Sequence, residues 1–550
     1  MNIYLSRNDN KIDLEYKDGQ NLESILKYNN INYKEYFGAF LDNEIVGLRE
    51  IPKKDSVIRF LDISTTQGNR IYTSSLCMLF QCAEHRLFPN KRSKIHFFIG
   101  SQIYTESESD EPYTFEEISM IEHEMKKMVA NDEKIVKELW SREDAIEYFS
   151  KRNVVDKVKL LEQIDDKTVT LYRIDDFLNR YEDELVPSCG YINRFSLKYY
   201  YPGLLILFPS KKNNYDVDLD EDLPKLSKVF QDANKVSEIL KISNVIELNE
   251  EIEKGNARDV VLATEAFLNN KYYKVAKQIA EDEAKKVVLI SGPSSSGKTT
   301  TAQKLKLELK LHGINAVEIS TDDYFVDREN TPKKPDGSYD FETIDAVDTL
   351  SLNKDIMKLL ETGKIKRRKF DFINGKSIKT DEDIVLDNRD IIIIEGIHAL
   401  NPNLINQIPN RNKFKIYLSA LININIDYAN RISTTDARFI RRMVRDNIYR
   451  GRDVFVSLDG WKSVREGEEI YVFPYQEEAD VILNTSLLYE LAVLKKHAES
   501  LLKLVTKDSM HFARAKRLLK LLHYFKSIDD ESIIPNTSLI REFIGGSVFN

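Results

Sequence analysis

Val287-Val288-Leu289-Ile290, Gly292-Pro293-Ser294-Ser295-Ser296-Gly297-Lys298-Thr299 and the following Thr300-Thr301-Ala302-Gln303-Lys304-Leu305-Lys306-Leu307-Glu308-Leu309 together decide the fold. The first run is an apolar strand. The second fits G-x-x-x-x-G-K-[ST], and the third carries leucines at the spacing of one helix face. Strand, glycine loop and helix in that order make a phosphate cradle: loop N–H groups and the helix N-terminus attract a polyphosphate, and Lys298 adds a full positive charge. Gly292, Pro293, Ser294, Ser295, Ser296, Gly297, Lys298, Thr299 and Thr300 are the expected nucleotide contacts, with the Thr299 hydroxyl placed to ligate Mg²⁺.

Outward from the loop, apolar runs recur at Ala316-Val317-Glu318-Ile319, Ile391-Ile392-Ile393-Ile394, Phe414-Lys415-Ile416-Tyr417-Leu418 and Val481-Ile482-Leu483, separated by helical stretches. That alternation predicts an α/β fold, a P-loop NTPase-type parallel sheet with flanking helices. Ahead of it lie α+β stretches, and leucine-striped helices after about residue 486 read as packing rather than chemistry. The 550 residues exceed one core. The predicted units are 1–60, 61–225, a helical linker 226–283, 284–485 and a helical tail 486–550.

A net charge of −9 disfavours wholesale wrapping of nucleic acid. The basic cluster Lys364-Ile365-Lys366-Arg367-Arg368-Lys369 reads as a solvated face or a local contact. Cys77, Cys82 and Cys189 match neither a disulfide framework nor a zinc spacing. The N-terminus carries no secretory apolar core, and no apolar run approaches the ~18 residues a membrane span needs. A cytoplasmic protein without a membrane partner is expected.

Phosphoryl transfer needs charge neutralisation, a metal site and an oriented hydroxyl, so acids and arginines should follow the loop at strand ends. Glu395 ends the isoleucine strand, where a metal-site acid would face the phosphates; a strand-end cap is the plain alternative. Asp322, in Ser320-Thr321-Asp322-Asp323-Tyr324-Phe325, stands where a base could accept a hydroxyl proton, or where a turn simply uses an Asp. In Ala437 to Asp453, helical spacing gathers Arg438, Arg442 and Arg445 near one face. Such like charges repel unless anions arrive. Arginine without lysine favours forked recognition of phosphate over a solvated helix, and reads as a lid.

On these residues the half from about 284 to 485 resembles the uridine kinase family, grouped with phosphoribulokinases among the P-loop kinases. The resemblance implies Asp322 as base for a nucleoside 5′-hydroxyl, Glu395 and Thr299 at Mg²⁺, and Lys298 and Arg445 on the transferred charge. It implies Arg450 and Arg452 on phosphates, Arg442 on ribose, and Asp345, from Asp340-Phe341-Glu342-Thr343-Ile344-Asp345-Ala346-Val347-Asp348, on ribose hydroxyls. The family's base-reading Tyr-Asp-Phe-x-x-His reads here Phe370-Asp371-Phe372-Ile373-Asn374-Gly375, so Phe370 and Phe372 could stack on a base while Gly375 replaces the histidine.

The front half resembles the leading domains of threonyl-tRNA synthetase: a TGS-like unit over 1–60, then an editing-type domain over 61–225. Its anchors include Cys82-Ala83-Glu84-His85 and Val186-Pro187-Ser188-Cys189-Gly190. The four polar site positions of that domain fall on Ser74, Met78, Tyr181 and Leu185, which cannot bind metal or activate water, so editing is not expected. The resemblance implies an ATP- or GTP-dependent, Mg²⁺-using kinase for uridine or cytidine in pyrimidine salvage, a homo-oligomer with a small-molecule substrate. RNA contact through the N-terminal half is left open. The alternatives are a kinase for another sugar or alcohol and a nucleotide-sensing, RNA-binding regulator.

Overall fold

The parallel strands Val287–Ser291 and Ile391–Glu395 are buried along their whole length, as strands covered on both faces must be. In this computed structural model, which describes residues 2–5, 11–12, 14–100, 102–108, 111–211, 214–217, 223–371 and 373–549, they form the centre of a five-stranded parallel sheet. The order across it is Ala316–Ser320, Ile391–Glu395, Val287–Ser291, Lys413–Ser419, Val481–Asn484. Register pairs Ile290 with Glu395, Glu395 with Ser320, and Ser419 with Asn484, so the carboxyl ends align along one edge. Open α/β sheets bind ligands in the crevice outside that edge.

Helices Pro224–Leu240, Val245–Glu253 and Ala257–Ala280 pack on this sheet rather than hang beside it. The Tyr272 hydroxyl lies 3.1 Å from that of Thr301, and Lys304 donates to Asn269 at 2.8 Å, both across to the phosphate-loop helix Lys298–Leu311. The helices expected over 226–283 thus carry core contacts, with their charged residues on outer faces and their inner faces apolar.

The N-terminal residues build a mixed sheet ordered Lys11–Ile12, Asn2–Leu5, Val57–Asp62, Tyr36–Leu41, Glu44–Val46, covered by helix Leu22–Tyr28. Its last hairpin turns at Asp42 and Asn43, both at positive φ (48° and 67°), as a two-residue turn matched to strand twist requires. Helix Thr66–Leu87 then leads into two further antiparallel sheets.

Those domains and the kinase-like half are tied by the segment between Ser419 and the helix Thr434–Arg450. The Asn425 side-chain amide donates to the Ile95 carbonyl (2.7 Å), Ile95 N–H to the Tyr428 carbonyl (2.9 Å), and Glu182 N–H to Asn430 (3.0 Å). Lys157 and Asp427 form a buried ion pair at 2.9 Å. Ala429 joins the apolar cluster that contains Met78, Tyr181 and Leu185. Ser74 donates to Asp183 at 3.0 Å and the Tyr181 hydroxyl to Gln81 at 2.6 Å. The place where an editing domain would hold its polar groups is thus packed, partly by the other half of the chain. The three cysteines are buried free thiols, and burial pushes Cys77 and Cys82 up to about 12. Among the described residues no helix is long and apolar enough to cross a membrane.

Candidate active site

Gly297 caps the phosphate-loop helix at φ +83°, a left-handed conformation that turns the helix N-terminus toward the loop. The loop's carbonyls are held from behind. Arg438 donates to Ser294 (3.4 Å), Arg441 to Ser295 (3.3 Å), and the Thr485 hydroxyl to Ser296 (2.7 Å). The hydroxyls of Ser295 and Ser296 are buried and lack a hydrogen-bond partner, orphaned polar groups of the kind a phosphate cradle leaves open. Lys298 curls onto its own loop, donating to the carbonyls of Gly292 (3.1 Å) and Pro293 (3.3 Å). Burial lowers its pKa, opposed by the charges of Glu395 and Asp322.

The acids stand on the neighbouring strand ends. Ser320 donates to Glu395 at 2.7 Å and accepts from the Asp322 N–H at 3.4 Å. Asp322 itself is exposed on the short turn Thr321–Tyr324. Burial, then the nearby Asp322 charge, pushes Glu395 well above the usual carboxylate range, while Lys298 works the other way. Acids short of positive charge suit a divalent cation. Among the described residues no group of three or more His, Cys, Asp or Glu could cage one. The Glu395 carboxylate and the exposed Thr299 hydroxyl are a hard, incomplete donor set, which fits Mg²⁺ shared with phosphate oxygens.

The arginines divide into two groups. Arg438 and Arg441 are fully buried against Glu468 and Glu490. The expectation that Arg438 lies on a phosphate-facing stripe is corrected: two of the like charges are neutralised by the chain's own acids, which clamp the first half of the helix to the loop. Arg442 reaches the Ser294 hydroxyl at 2.7 Å. Arg442, Arg445, Arg450 and Arg452 all approach the buried carboxylate of Asp446, at 3.6, 3.0, 3.2 and 3.9 Å. This end of the helix, which runs into the Gly451 turn, gathers its arginines around one buried acid instead of around the phosphate-loop carbonyls.

On the acceptor side, Asp345 is exposed, its N–H capped by the Thr343 hydroxyl at 3.4 Å. Glu342, three residues earlier, is the acid that turns inward: burial pushes it up to about 7, against the pull of Arg442. His398, 1% exposed and held down to about 4 by burial, faces the backbone of Glu342 and Thr343. Neither Glu342 nor His398 was singled out by motif, although Glu342 sits inside a quoted one. Phe370 is buried edge-on to Phe325 at 5.7 Å, and Phe325 to Phe341 at 6.3 Å; Phe372 lies outside the described residues. Gly375 takes φ +67°, and a Cβ there would meet Arg328 Cβ at 2.6 Å. A histidine at this position is excluded twice over, by backbone and by space.

The basic strand Lys364–Asp371 is matched by its hairpin partner, Lys364 and Lys366 pairing with Asp383 and Arg367 with Glu382. A cavity of about 440 Å³ lies between that hairpin and the edge strand Ala316–Ser320, bordered by Lys306, Glu318, Asp323 and Arg367. It flanks the acid edge, and Lys298 does not line it.

The helical tail also meets the loop. Glu542 accepts a hydrogen bond from Thr300 at 2.6 Å, and Leu539 packs on Gly297 so closely that a Cβ there would meet it at 2.5 Å. Leu539 thus reaches the phosphate loop, and Glu542 the first turn of its helix.

Phosphate loop, strand-end acids and arginine helix on this sheet order define a P-loop kinase. Residues 287–488 match the phosphoribulokinase/uridine kinase family. A uridine kinase of Borrelia duttonii is 32% identical over 240 residues, covering 41% of this chain and 98% of that protein. The chain belongs to the phosphoribulokinase/uridine kinase family. The N-terminal half matches threonine–tRNA ligases, that of Finegoldia magna being 32% identical over 147 residues, 26% of this chain. The chain spans 23% of that ligase's length. A solved D-glycerate 3-kinase from Cryptococcus neoformans aligns at 13% identity and a TM-score of 0.22, covering 47% of this chain and 88% of that one.

Proposed function

We propose that the chain is a nucleoside kinase that transfers the γ-phosphoryl group of ATP or GTP to the 5′-hydroxyl of uridine or cytidine. The observation that carries this reading is the hydrogen-bonded run Asp322–Ser320–Glu395 on the strand edge, electrostatically linked to Lys298 in the loop. The loop from Gly292 to Thr300 cradles the nucleotide phosphates, with Arg450 and Arg452 over them. Lys298 and Arg445 meet the charge on the transferred group. Asp322, open to the crevice, orients the acceptor hydroxyl and takes its proton. Glu395 and Thr299 hold Mg²⁺, which when bound neutralises phosphate charge. Arg442 and Glu342 hold the acceptor's hydroxyls in place of Asp345, and the ring of Phe370 bounds the base.

A second reading, a kinase for a different alcohol, is favoured by Arg328 packing where a base-reading histidine would project. Labelled ATP offered with uridine, cytidine, purine nucleosides, ribulose phosphate and pantothenate separates the two. Label on uridine or cytidine supports the first reading; label only on another alcohol rejects it, and no label on any acceptor rejects phosphotransfer. Asp322→Asn is expected to lower kcat by ~10²-fold while nucleotide still binds; near-normal turnover in that variant removes the base assignment.

A further inference from the structure

The C-terminal segment is fixed on the phosphate loop by contacts that do not involve Glu542. Ser538 donates to Glu265 (2.5 Å) and shares a hydrogen bond with the Tyr489 hydroxyl (3.2 Å). Arg541 donates to the carbonyls of Glu531 (2.6 Å) and Ile534 (2.9 Å). The Phe543 ring lies 5.2 Å from the Arg441 guanidinium, and Leu539 is against Gly297. So anchored, the segment delivers one carboxylate to the helix N-terminus: Glu542 accepts from Thr300, the third residue of Lys298–Leu311. Its charge also bears on Lys298.

A helix N-terminus stabilises an anion, and here the anion is the chain's own. A nucleotide phosphate seated in the loop would draw on the same N-terminus and on the Thr300 hydroxyl. Two negative charges a few ångströms apart in a partly buried site repel strongly. We propose that Glu542 is a gatekeeping acid: without nucleotide it takes the hydrogen bond from Thr300 that a phosphate would take, and a nucleoside triphosphate must displace it to bind. The inference rests on the phosphate loop holding nucleotide, as in the kinase reading above. It gives the tail a share in setting nucleotide affinity, so the concentration at which the loop fills depends on a residue 242 positions away in sequence.

Glu542→Gln keeps the size of the side chain and an acceptor for Thr300 but removes the charge. In the full-length protein, titration with a fluorescent ATP analogue is expected to show about tenfold tighter binding in Glu542→Gln than in wild type. Hydrogen exchange over residues 538–549 of the wild type is expected to speed up when a non-hydrolysable ATP analogue saturates the loop. Unchanged or weaker binding in Glu542→Gln, or a tail whose exchange does not respond to nucleotide, overturns the gate. Lys298→Ala separates the two layers. If it abolishes binding while Glu542→Gln binds like wild type, only the gate falls; if it binds like wild type, the loop assignment falls and the gate with it.

Discussion

Replacing Arg441 by methionine should unfold the kinase-like half more readily, because this arginine holds structure together rather than phosphate. Its guanidinium is 0% exposed and pairs with Glu490, itself 1% exposed, the Nε–Oε1 distance being 3.1 Å. It also donates to the carbonyls of Thr485 (3.0 Å) and Ser295 (3.3 Å). Methionine fills the volume but strands the Glu490 carboxylate, which among the described residues keeps the Leu487 N–H at 2.8 Å. Breaking a fully buried pair from one side costs about 3–5 kcal/mol. For a unit of this size that lowers the melting midpoint by roughly 6–20 °C, at about 2–4 °C per kcal/mol. Arg441→Met with Glu490→Leu removes both charges, and a buried pair exchanged for apolar side chains is close to neutral, so most of the loss should return. Arg445, 17% exposed and paired with Asp446, is the contrast: Arg445→Met should melt within about 1 kcal/mol of wild type while nucleotide turnover falls. Thermal melts of the four proteins followed by circular dichroism decide the matter. A single Arg441→Met variant melting like wild type, or a double variant no better than the single, refutes the division of the arginines into structural and phosphate-facing sets.

Glu342→Gln should raise the acceptor KM by about tenfold, the scale of one charge-assisted hydrogen bond, whereas Asp345→Asn should stay within about twofold; steady-state kinetics showing the reverse order would restore Asp345 to the site. In the N-terminal half, burial pushes Glu84 up to about 7 despite hydrogen bonds from Tyr113 and Ser93. The folded state then holds a proton that the unfolded state has released between about pH 4.5 and 7, so stability must fall as pH rises through that window, by about 3 kcal/mol at most. Urea midpoints of wild type and Glu84→Met between pH 5 and 7 test this, and equal slopes in the two proteins would exclude Glu84 as the source.

What the sequence discloses follows from how far apart the cooperating residues are. The phosphate loop is one contiguous string whose strand and helix flank it, so motif and fold read together. Glu395 is legible for the same reason, as a carboxylate that ends an isoleucine run. Arg438 and Arg442 look alike along the chain, four residues apart on one helix face. What separates them is Glu468, 30 residues beyond Arg438 and a full helix away. The choice between Glu342 and Asp345 turns on the path of a loop with no regular periodicity, where neither helical nor strand spacing says which acid faces in. Glu542 is not legible as a site residue, since its role depends on contact with Thr300, 242 positions away in the chain.

The same distinction bears on the front half. Its vacated polar positions alone would suggest a domain left without work, yet the strands around them are closed by residues 425–431 of the kinase-like half. Lys157 with Asp427, and Asn430 with Glu182 and the Arg180 carbonyl (2.9 Å), fix the stretch that feeds directly into the arginine helix. At the N-terminus of that helix, Asp436 is gripped by Arg70 of the front half and Arg517 of the tail. These arginines hold Asp436 below the usual carboxylate range despite its burial. The N-terminal end of the arginine helix is thus set by three parts of the chain at once, ahead of the arginines that the proposed function places on the substrates. A substitution that disturbs Arg70 or Asp427 is therefore expected to perturb the arginine helix through its first turn, without touching any residue of the proposed phosphate site.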